Sequence, residues 1–479
     1  APEEEKVMTT GKTRTEHDSM GDMQVPADAY YGASTMRAVL NFPISDLRFP
    51  REFNRALATI KLVAAQVNME LGLLDRQKGK AIVKAAQEVV DGKFEEHFVV
   101  DIFQTGSGTS TNMNANEVIA NRAAELLGSP RGTRGPVHPN DHVNLGQSSN
   151  DVIPTAIHLA AAKAIQDDLI PALQELQAVM EEKSREFMPI IKTGRTHLQD
   201  ATPIRLGQEF LGYAGQAERG IQRLRHALDE LGEVALGGTA VGTGVNTHPE
   251  FAARCCRRLS QRMGIKVRET TNHFQAQNTL DNMVAASGAV KTVAVSLMKI
   301  ANDLRWIGSG PRAGIGEIVL PEVQPGSSIM PGKVNPVIPE SVCQVCAQVI
   351  GNDAAIIIAG QSGNFEINVM MPVAAYNLLQ SIKLLASVTR NFVHQCLRGV
   401  TATTKGPDMV EKGLAICTGL VPAIGYDRSA KIAQEAQRTG KTIREVARER
   451  TDLTEAELDK LLDPAAMTEP GLSGAPAGG

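Results

Sequence analysis

The sequence predicts a mainly α-helical protein whose centre is a bundle of long helices. Apolar side chains recur at alternating spacings of three and four in residues 203–235 and again in residues 275–306. Comparable helical patterns cover residues 154–187, 338–360 and 372–398. This bundle has a wider apolar stripe than the helices of one chain need to cover it, so we predict a homo-oligomer.

Breaks in the helical pattern divide the chain into four predicted segments. Residues 1–146 form an N-terminal domain, residues 147–400 the central bundle and residues 401–465 a small C-terminal domain. The pattern stops at 399–407, which sets the start of the C-terminal domain. Residues 466–479 are rich in proline and glycine, and we expect them to form a disordered tail.

The bulk composition argues against several classes of partner. The chain has 479 residues and a net charge of −4, which disfavours a nucleic-acid or polybasic membrane surface. Apolar runs stay well short of the roughly 18 residues of a spanning helix. The first residues are acidic, unlike a targeting segment. We therefore expect a cytoplasmic protein with neither a membrane nor a nucleic-acid partner.

The six cysteines predict reduced thiols rather than a disulfide framework or a metal site. Cys343 and Cys346 form a C-x-x-C, but it lies within an apolar helical pattern and has no second pair. A buried helix face explains it better than a redox or metal site, and no set of cysteines could ligate an iron–sulfur cluster. We expect no cofactor and no metal.

The run from Gly326 to Pro336, GSSIMPGKVNP, combines flexible backbone, two hydroxyls, a cation and an amide in eleven residues. Two glycines allow backbone N–H groups to turn toward a bound group, and Lys333 and Asn335 lie two residues apart. The pattern predicts a cradle for a carboxylate or a phosphate. A surface turn is the plainer interpretation, but so many functional groups in one run favour a binding site.

A nucleotide-binding P-loop is the obvious alternative for this run. That motif needs four residues between its glycines and a hydroxyl residue after its lysine. Here five residues separate Gly326 from Gly332, and Val334 follows Lys333, so no hydroxyl is placed to hold Mg²⁺.

Three other polar runs are candidates for function: residues 104–114, 147–151 and 193–203. The first two lead into predicted helices, whose N-termini attract anions. The third holds a lone histidine, His197, and a lone histidine is more often structural than catalytic. A fourth segment, HPNDH at 138–142, has histidines four residues apart, but its proline disturbs a helix and it lacks the glutamate of a zinc motif.

Together these runs resemble the signature regions of the fumarase/aspartase superfamily. The resemblance covers residues 12–462, and the TGSGT form at 105–109 is similar to that of class II fumarate hydratases. It implies a central helical bundle in a homotetramer with a multi-helix core, and active sites that are each shared by three subunits. The implied partner is a small dicarboxylate, fumarate or L-malate, and no cofactor is implied.

The resemblance also assigns roles to individual residues. It implies that Ser327 is the catalytic base, and that His197, oriented by Glu340, transfers the proton of water. Substrate contacts are implied for Ser107, Thr109, Ser148, Ser149, Asn150, Thr196, Ser328, Lys333 and Asn335. A second, non-catalytic dicarboxylate site is implied at His138, Asn140 and Asp141. On residue type alone, an ordinary acidic residue in the first turn of a helix is the better account of Glu340.

The activity that this implies is reversible hydration of fumarate to L-malate, a step of the tricarboxylic acid cycle, through an aci-carboxylate carbanion. Aspartate ammonia-lyase stays open as an alternative, because residues 337–340 and His142 resemble aspartases. Gly332, residues 105–107 and residues 362–366 instead resemble fumarases. A catalytically silent structural protein on the same fold is a third possibility, which the complete catalytic set argues against.

Overall fold

The computed structural model describes residues 11–471, and helices dominate them. This confirms the predicted mainly α-helical fold. The helices are α1 Ala33–Asn41, α2 Arg51–Glu70, α3 Arg76–Val90, α4 Thr109–Leu126, α5 Ser149–Ala164, α6 Ile170–Phe187, α7 Leu206–Leu231, α8 Phe251–Met263, α9 His273–Asn278, α10 Asp281–Ile307, α11 Val337–Gly360, α12 Met371–Gln395, α13 Lys405–Val410, α14 Val421–Ile424, α15 Tyr426–Thr439, α16 Ile443–Arg450 and α17 Glu455–Leu461.

Short strands pair only two at a time within residues 11–471. The strands are β1 Thr13–Asp18, β2 Gly21–Pro26, β3 Ile191–Thr196, β4 Gln199–Arg205, β5 Glu233–Val234, β6 Arg268–Glu269, β7 Ile318–Val319, β8 Gly363–Asn364, β9 Ile367–Asn368 and β10 Thr401–Ala402. Four pairs are antiparallel, namely β1 with β2, β3 with β4, β7 with β10 and β8 with β9. The pair of β5 and β6 is parallel.

The chain folds into two compact units. Unit 1 comprises the chain up to Pro171 together with residues 220–294 and 345–386, and unit 2 comprises residues 172–219, 295–344 and the chain from Ser387. This division differs from the four consecutive segments that the sequence predicts. The reason is that each boundary lies inside a long helix, where the sequence shows no break.

Unit 1 packs around α2, which contacts α3, α5 and α8. The side chains of α2 are buried on every face, including Phe53, Leu57 and the ammonium-bearing Lys61. A helix that is surrounded in this way belongs to the interior of its unit.

Unit 2 contains a small core formed by its C-terminal helices. Side chains from residues 416–462, among them Leu420, Ile432 and Val446, form one buried cluster. Regular structure continues beyond this core. Residues 466–468 form a 3₁₀ turn, and the Thr468 carbonyl accepts a hydrogen bond from Gln208 Nε2 at 3.0 Å. The predicted tail therefore does not start at 466, and its residues 472–479 lie outside the described range.

Two helices are long and apolar enough to cross a membrane by length and composition alone: Asp281–Ile307 and Val337–Gly360. Within the most apolar window of each, 44% and 39% of the residues are buried inside the chain. Core helices of globular proteins pass the same test, so the finding is weak evidence for a span.

The hairpin of β3 and β4 in unit 2 ends in a two-residue turn, His197 and Leu198. Both residues have left-handed backbones, with φ of 54° and 61°. This is the arrangement of a type I′ turn, which normally takes asparagine and glycine because side chains with a Cβ are strained there. At the other end, buried Lys192 forms ion pairs with Glu209 and Glu317 at 2.8 and 2.7 Å. The hairpin is thus anchored at its base and strained at its tip.

We expect Leu198→Gly to stabilise the protein by about 1 kcal/mol, because glycine removes the left-handed strain of about 1–2 kcal/mol at one position. Leu198 is 64% exposed, so little packing is lost. The measurement is the unfolding midpoint at fixed protein concentration. Leu198→Ala is the matched control, since it trims the side chain but keeps the Cβ. Equal midpoints for the glycine and alanine variants would contradict the strain.

Candidate active site

Three hydroxyls of unit 1 join the N-termini of two helices. Ser107 Oγ lies 2.9 Å from Thr109 Oγ1, which lies 2.7 Å from Ser149 Oγ. Thr109 opens α4 and Ser149 opens α5. Each helix start carries the positive end of its helix dipole, so both favour a carboxylate at this common polar patch. The runs at 104–114 and 147–151, far apart in sequence, form this one patch.

Ser148, which the sequence predicts as a substrate contact, is the N-cap of α5. Its Oγ accepts from the Asn150 backbone at 3.2 Å, and the Asp151 carboxylate accepts from the Ser148 backbone at 2.9 Å. These bonds form a capping box, so the hydroxyl stabilises the helix start. Ser149 and Asn150 are the next two residues, and Ser149 Oγ bonds to Thr109 Oγ1 in the patch.

Gly106 is required by a close approach of two backbones. A Cβ at this position would lie 1.9 Å from the Val369 carbonyl oxygen, and Met371 donates its backbone N–H to Gly106 O at 3.0 Å. The segment after the β8–β9 hairpin thus supports the loop that carries Ser107. The sequence marks residues 362–366 only as a family feature and predicts no such support.

Sequence reasoning also missed the glycine-rich segment at 237–244, GGTAVGTG. Its Ala240 carbonyl accepts from Asn150 Nδ2 at 2.8 Å. Nearby, the buried Lys61 ammonium donates to Asn144 Oδ1 at 2.7 Å and to Gln147 Oε1 at 3.1 Å. Burial lowers the pKa of Lys61 to about 7. The density of glycines was the available signal for the loop, whereas a lysine within an apolar helix offered none.

In unit 2 the loop at 326–336 closes on itself around Ser327. Gly326 N donates to Lys333 O at 2.9 Å, and Asn335 Nδ2 donates to Gly326 O at 2.6 Å. The Ser327 hydroxyl oxygen accepts from the backbone of Met330 at 2.8 Å and of Ile329 at 3.2 Å. Donors aimed at a hydroxyl oxygen favour its deprotonated form. Ser328, the other predicted hydroxyl, is exposed.

Lys333, Asn335 and Glu340 line one cavity of about 560 Å³ in unit 2. Arg305 and Trp306, at the end of α10, line it as well. Glu340 lies in the first turn of α11. Two cations, Arg305 and Lys333, share this space with the carboxylates of Glu322 and Glu340. The two cations and the Asn335 amide are the groups there that suit a carboxylate ligand.

His197 and Thr196 are exposed at the tip of the β3–β4 hairpin. Within residues 11–471, neither the His197 ring nor the Glu340 carboxylate has a hydrogen-bond or ion-pair partner. One chain therefore does not form the predicted pair of His197 and Glu340, and that pair stays a prediction.

The second predicted site lies in unit 1, on a single wide turn at Pro139–Val143. His138 Nδ1 accepts from the backbone of Asn140 at 3.2 Å and of Asp141 at 3.1 Å. His142 Nδ1 accepts from the His138 backbone at 2.8 Å, and Lys78 Nζ lies 3.2 Å from His142 Nε2. Burial, with Lys78 adding to it, lowers the pKa of His142. Elsewhere in residues 11–471, too, no group of three or more histidine, cysteine or acidic side chains is arranged to hold a metal.

Comparisons with known proteins agree over nearly the whole chain. A family model described as lyase matches residues 21–351, and one described as the fumarase C C-terminus matches residues 416–469. Fumarate hydratase class II 2 of Bradyrhizobium diazoefficiens is 52% identical over 460 residues, 96% of this chain and 97% of its own. Fumarate hydratase class II of Halobacterium salinarum is 55% identical over 460 residues, 96% and 98% of the two chains.

A solved structure gives the same result. The crystal structure of recombinant class II fumarase from Schistosoma mansoni has a TM-score of 0.94 and 41% identity, and the match covers 96% of this chain and 100% of that one. The chain therefore belongs to the class II fumarate hydratase family of the fumarase/aspartase superfamily.

Proposed function

We propose that the protein is a fumarate hydratase, which adds water reversibly to fumarate and forms L-malate in the tricarboxylic acid cycle. The observation that carries the proposal is the Ser327 hydroxyl, which accepts two backbone N–H groups in a loop that also holds Lys333. The full-length similarity to fumarate hydratases supports it. An aspartate ammonia-lyase or a silent structural protein is not favoured by either finding.

The chemical difficulty is a weakly acidic C–H bond beside a carboxylate. In the direction from malate, the Ser327 alkoxide takes the proton from this carbon, and the electron pair moves onto the adjacent carboxylate. The resulting aci-carboxylate is stabilised by Lys333 and Asn335. The C–O bond then breaks, and the electron pair of the aci-carboxylate forms the double bond of fumarate. The departing hydroxide takes a proton from His197 and leaves as water.

The polar patch of unit 1 holds the substrate in this proposal. Thr109, Ser149 and Asn150 supply hydroxyl and amide donors at two helix N-termini. The Ser107 hydroxyl is bonded to that of Thr109. Thr196 and Ser328 complete the lining when the chains assemble. The turn at His138, Asn140 and Asp141 is a second dicarboxylate site outside the catalytic pocket.

We also propose a cytoplasmic homotetramer in which each active site draws on three chains. Free thiols at all six cysteines fit a reducing compartment. Exposed apolar side chains on the long helices, such as Val295, Ile357 and Ile358, support burial against other copies. The exposed and unpaired His197 supports completion of the site by another chain.

The direct test follows fumarate absorbance and malate formation with purified protein, first in plain buffer and then with ammonium. We expect hydration in plain buffer. We also expect Ser327→Ala to lower kcat by at least about 10²-fold, the usual loss for a positioned proton-transfer group. Ser429→Ala is the matched control, because within residues 11–471 the Ser429 hydroxyl bonds only to Gly425 O, in a C-terminal helix. Fumarate loss only with ammonium would make the protein an aspartase, and no loss in either would overturn the proposal.

Complementation tests the shared site. Inactive Ser327→Ala and inactive His197→Asn, refolded together in equal amounts, are expected to recover about one quarter of wild-type activity. A working site needs an intact Ser327 from one chain and an intact His197 from another. In a closed tetramer of randomly mixed chains, each of these two conditions is met half of the time. Each variant refolded alone gives the background. Recovery at background level from verified mixed tetramers would show that both residues come from the same chain.

A further inference from the structure

We propose that Asp151 and the loop at 237–240 are positioning residues, which hold the Asn150 carboxamide in the orientation that binds substrate. The inference rests on the proposed function, because it takes Asn150 as a substrate contact. It adds a loop and a buried carboxylate for which the sequence predicts no role.

Asp151 is completely buried, and its carboxylate accepts three backbone N–H groups. Oδ1 accepts from Ser148 at 2.9 Å, and Oδ2 accepts from Gly237 and from Thr239, both at 3.0 Å. One side chain therefore ties the start of α5 to a loop more than eighty residues away in sequence. Burial raises the pKa of Asp151 to about 6, so the group is mostly ionised at neutral pH. The ionised form is the one that accepts all three bonds.

The loop in turn fixes Asn150. Asn150 Nδ2 donates to the Ala240 carbonyl at 2.8 Å, and since a carbonyl can only accept, the nitrogen of the amide must face the loop. Within residues 11–471 this is the only hydrogen-bond partner of the carboxamide. One N–H and the Oδ1 lone pairs stay available for a ligand. Without the loop, the amide could rotate and present either end to the substrate.

The loop has a rigid conformation of its own. Thr239 is buried with φ of 53°, a strained value for a branched residue that persists only where surrounding bonds enforce it. Gln277 Nε2 donates to Thr239 O at 2.9 Å, and Thr239 Oγ1 donates to Val245 O at 3.0 Å. At Gly238 a Cβ would lie 2.2 Å from Gln277 Oε1, so a larger residue would have to displace the Gln277 side chain that bonds to Thr239. These contacts therefore fix the position of the Ala240 carbonyl.

Buried Lys61 contacts the segment that precedes α5. Its ammonium donates to Asn144 and Gln147, immediately before the start of α5. It also interacts electrostatically with the Asp151 carboxylate. A buried amine and a buried carboxylate thus flank the helix start. Together these bonds fix the geometry at the start of α5, where Ser149 and Asn150 lie.

A double-mutant cycle tests the inference. We expect Asp151→Asn to raise the KM for fumarate by about tenfold, the change for about 1.4 kcal/mol of binding, while kcat changes less. If Asp151 acts through Asn150, the same substitution in an Asn150→Ala background leaves KM unchanged. An equal rise in both backgrounds would overturn the inference. Gln277→Met tests the same coupling from the loop side if Asp151→Asn does not fold.

Asp353→Asn is the matched control. Asp353 is also a buried aspartate of unit 1, bonded to Ser287 and Lys291 at 2.6 Å, but it has no bond to the α5 start. We expect it to lower the unfolding midpoint and leave the KM unchanged. A rise in KM equal to that of Asp151→Asn would mean that any buried aspartate gives the effect, which would overturn the inference.

Hydrogen exchange separates this inference from the proposed function. We expect Asp151→Asn, but not Asp353→Asn, to speed amide exchange at Ser148, Gly237 and Thr239 together. Wild-type protein that neither hydrates fumarate nor binds succinate in a calorimeter would refute the proposed function, while the exchange data would still decide the coupling. Unchanged exchange at these amides would overturn the coupling even in an active enzyme.

Discussion

The contact on which the unit 1 site depends is the 2.7 Å hydrogen bond between the Thr109 and Ser149 hydroxyls. It brings together the starts of α4 and α5, and with them two sets of backbone N–H groups that have no partner within their helices. Hydroxyls alone bind a carboxylate weakly in water. At paired helix N-termini, the helix dipoles add a fixed positive potential that requires no charged side chain. A binding patch for a carboxylate can therefore be built there largely from neutral residues.

Part of this arrangement could be predicted from the sequence. The runs at 104–114, 147–151, 193–203 and 326–336 were recognisable because they concentrate polar groups and glycines between apolar helical patterns. The predicted helical bundle is confirmed. It could be predicted because a long apolar stripe depends only on local periodicity. Periodicity does not report where a long helix passes from one compact unit to the other, so the four predicted segments differ from the two observed units.

Other features could not be predicted, because they depend on contacts that are distant in sequence. Asp151 bonds to Gly237 and Thr239, and Gly106 lies against Val369, in each case across a long separation. Ser148 shows the opposite difficulty. A serine before a helix is both a good N-cap and a plausible ligand, and only the observed capping box identifies its main role. Residue type narrows the possibilities, and geometry decides between them.

The predicted catalytic groups of unit 2 are held differently from the predicted substrate contacts of unit 1. Ser327 is held by backbone donors within its own loop, whereas His197 projects from a strained hairpin turn with no partner in residues 11–471. Strain at an exposed position is seldom retained unless the position has a use. A histidine that transfers protons also needs a neighbour to set its tautomer. Glu340 could act as this neighbour but is equally unpaired within the chain. Two unpaired groups of complementary chemistry, on a protein whose long helices expose apolar side chains, are what one subunit of a shared active site would present. Assembly would then complete the helical core and the catalytic pair in the same step.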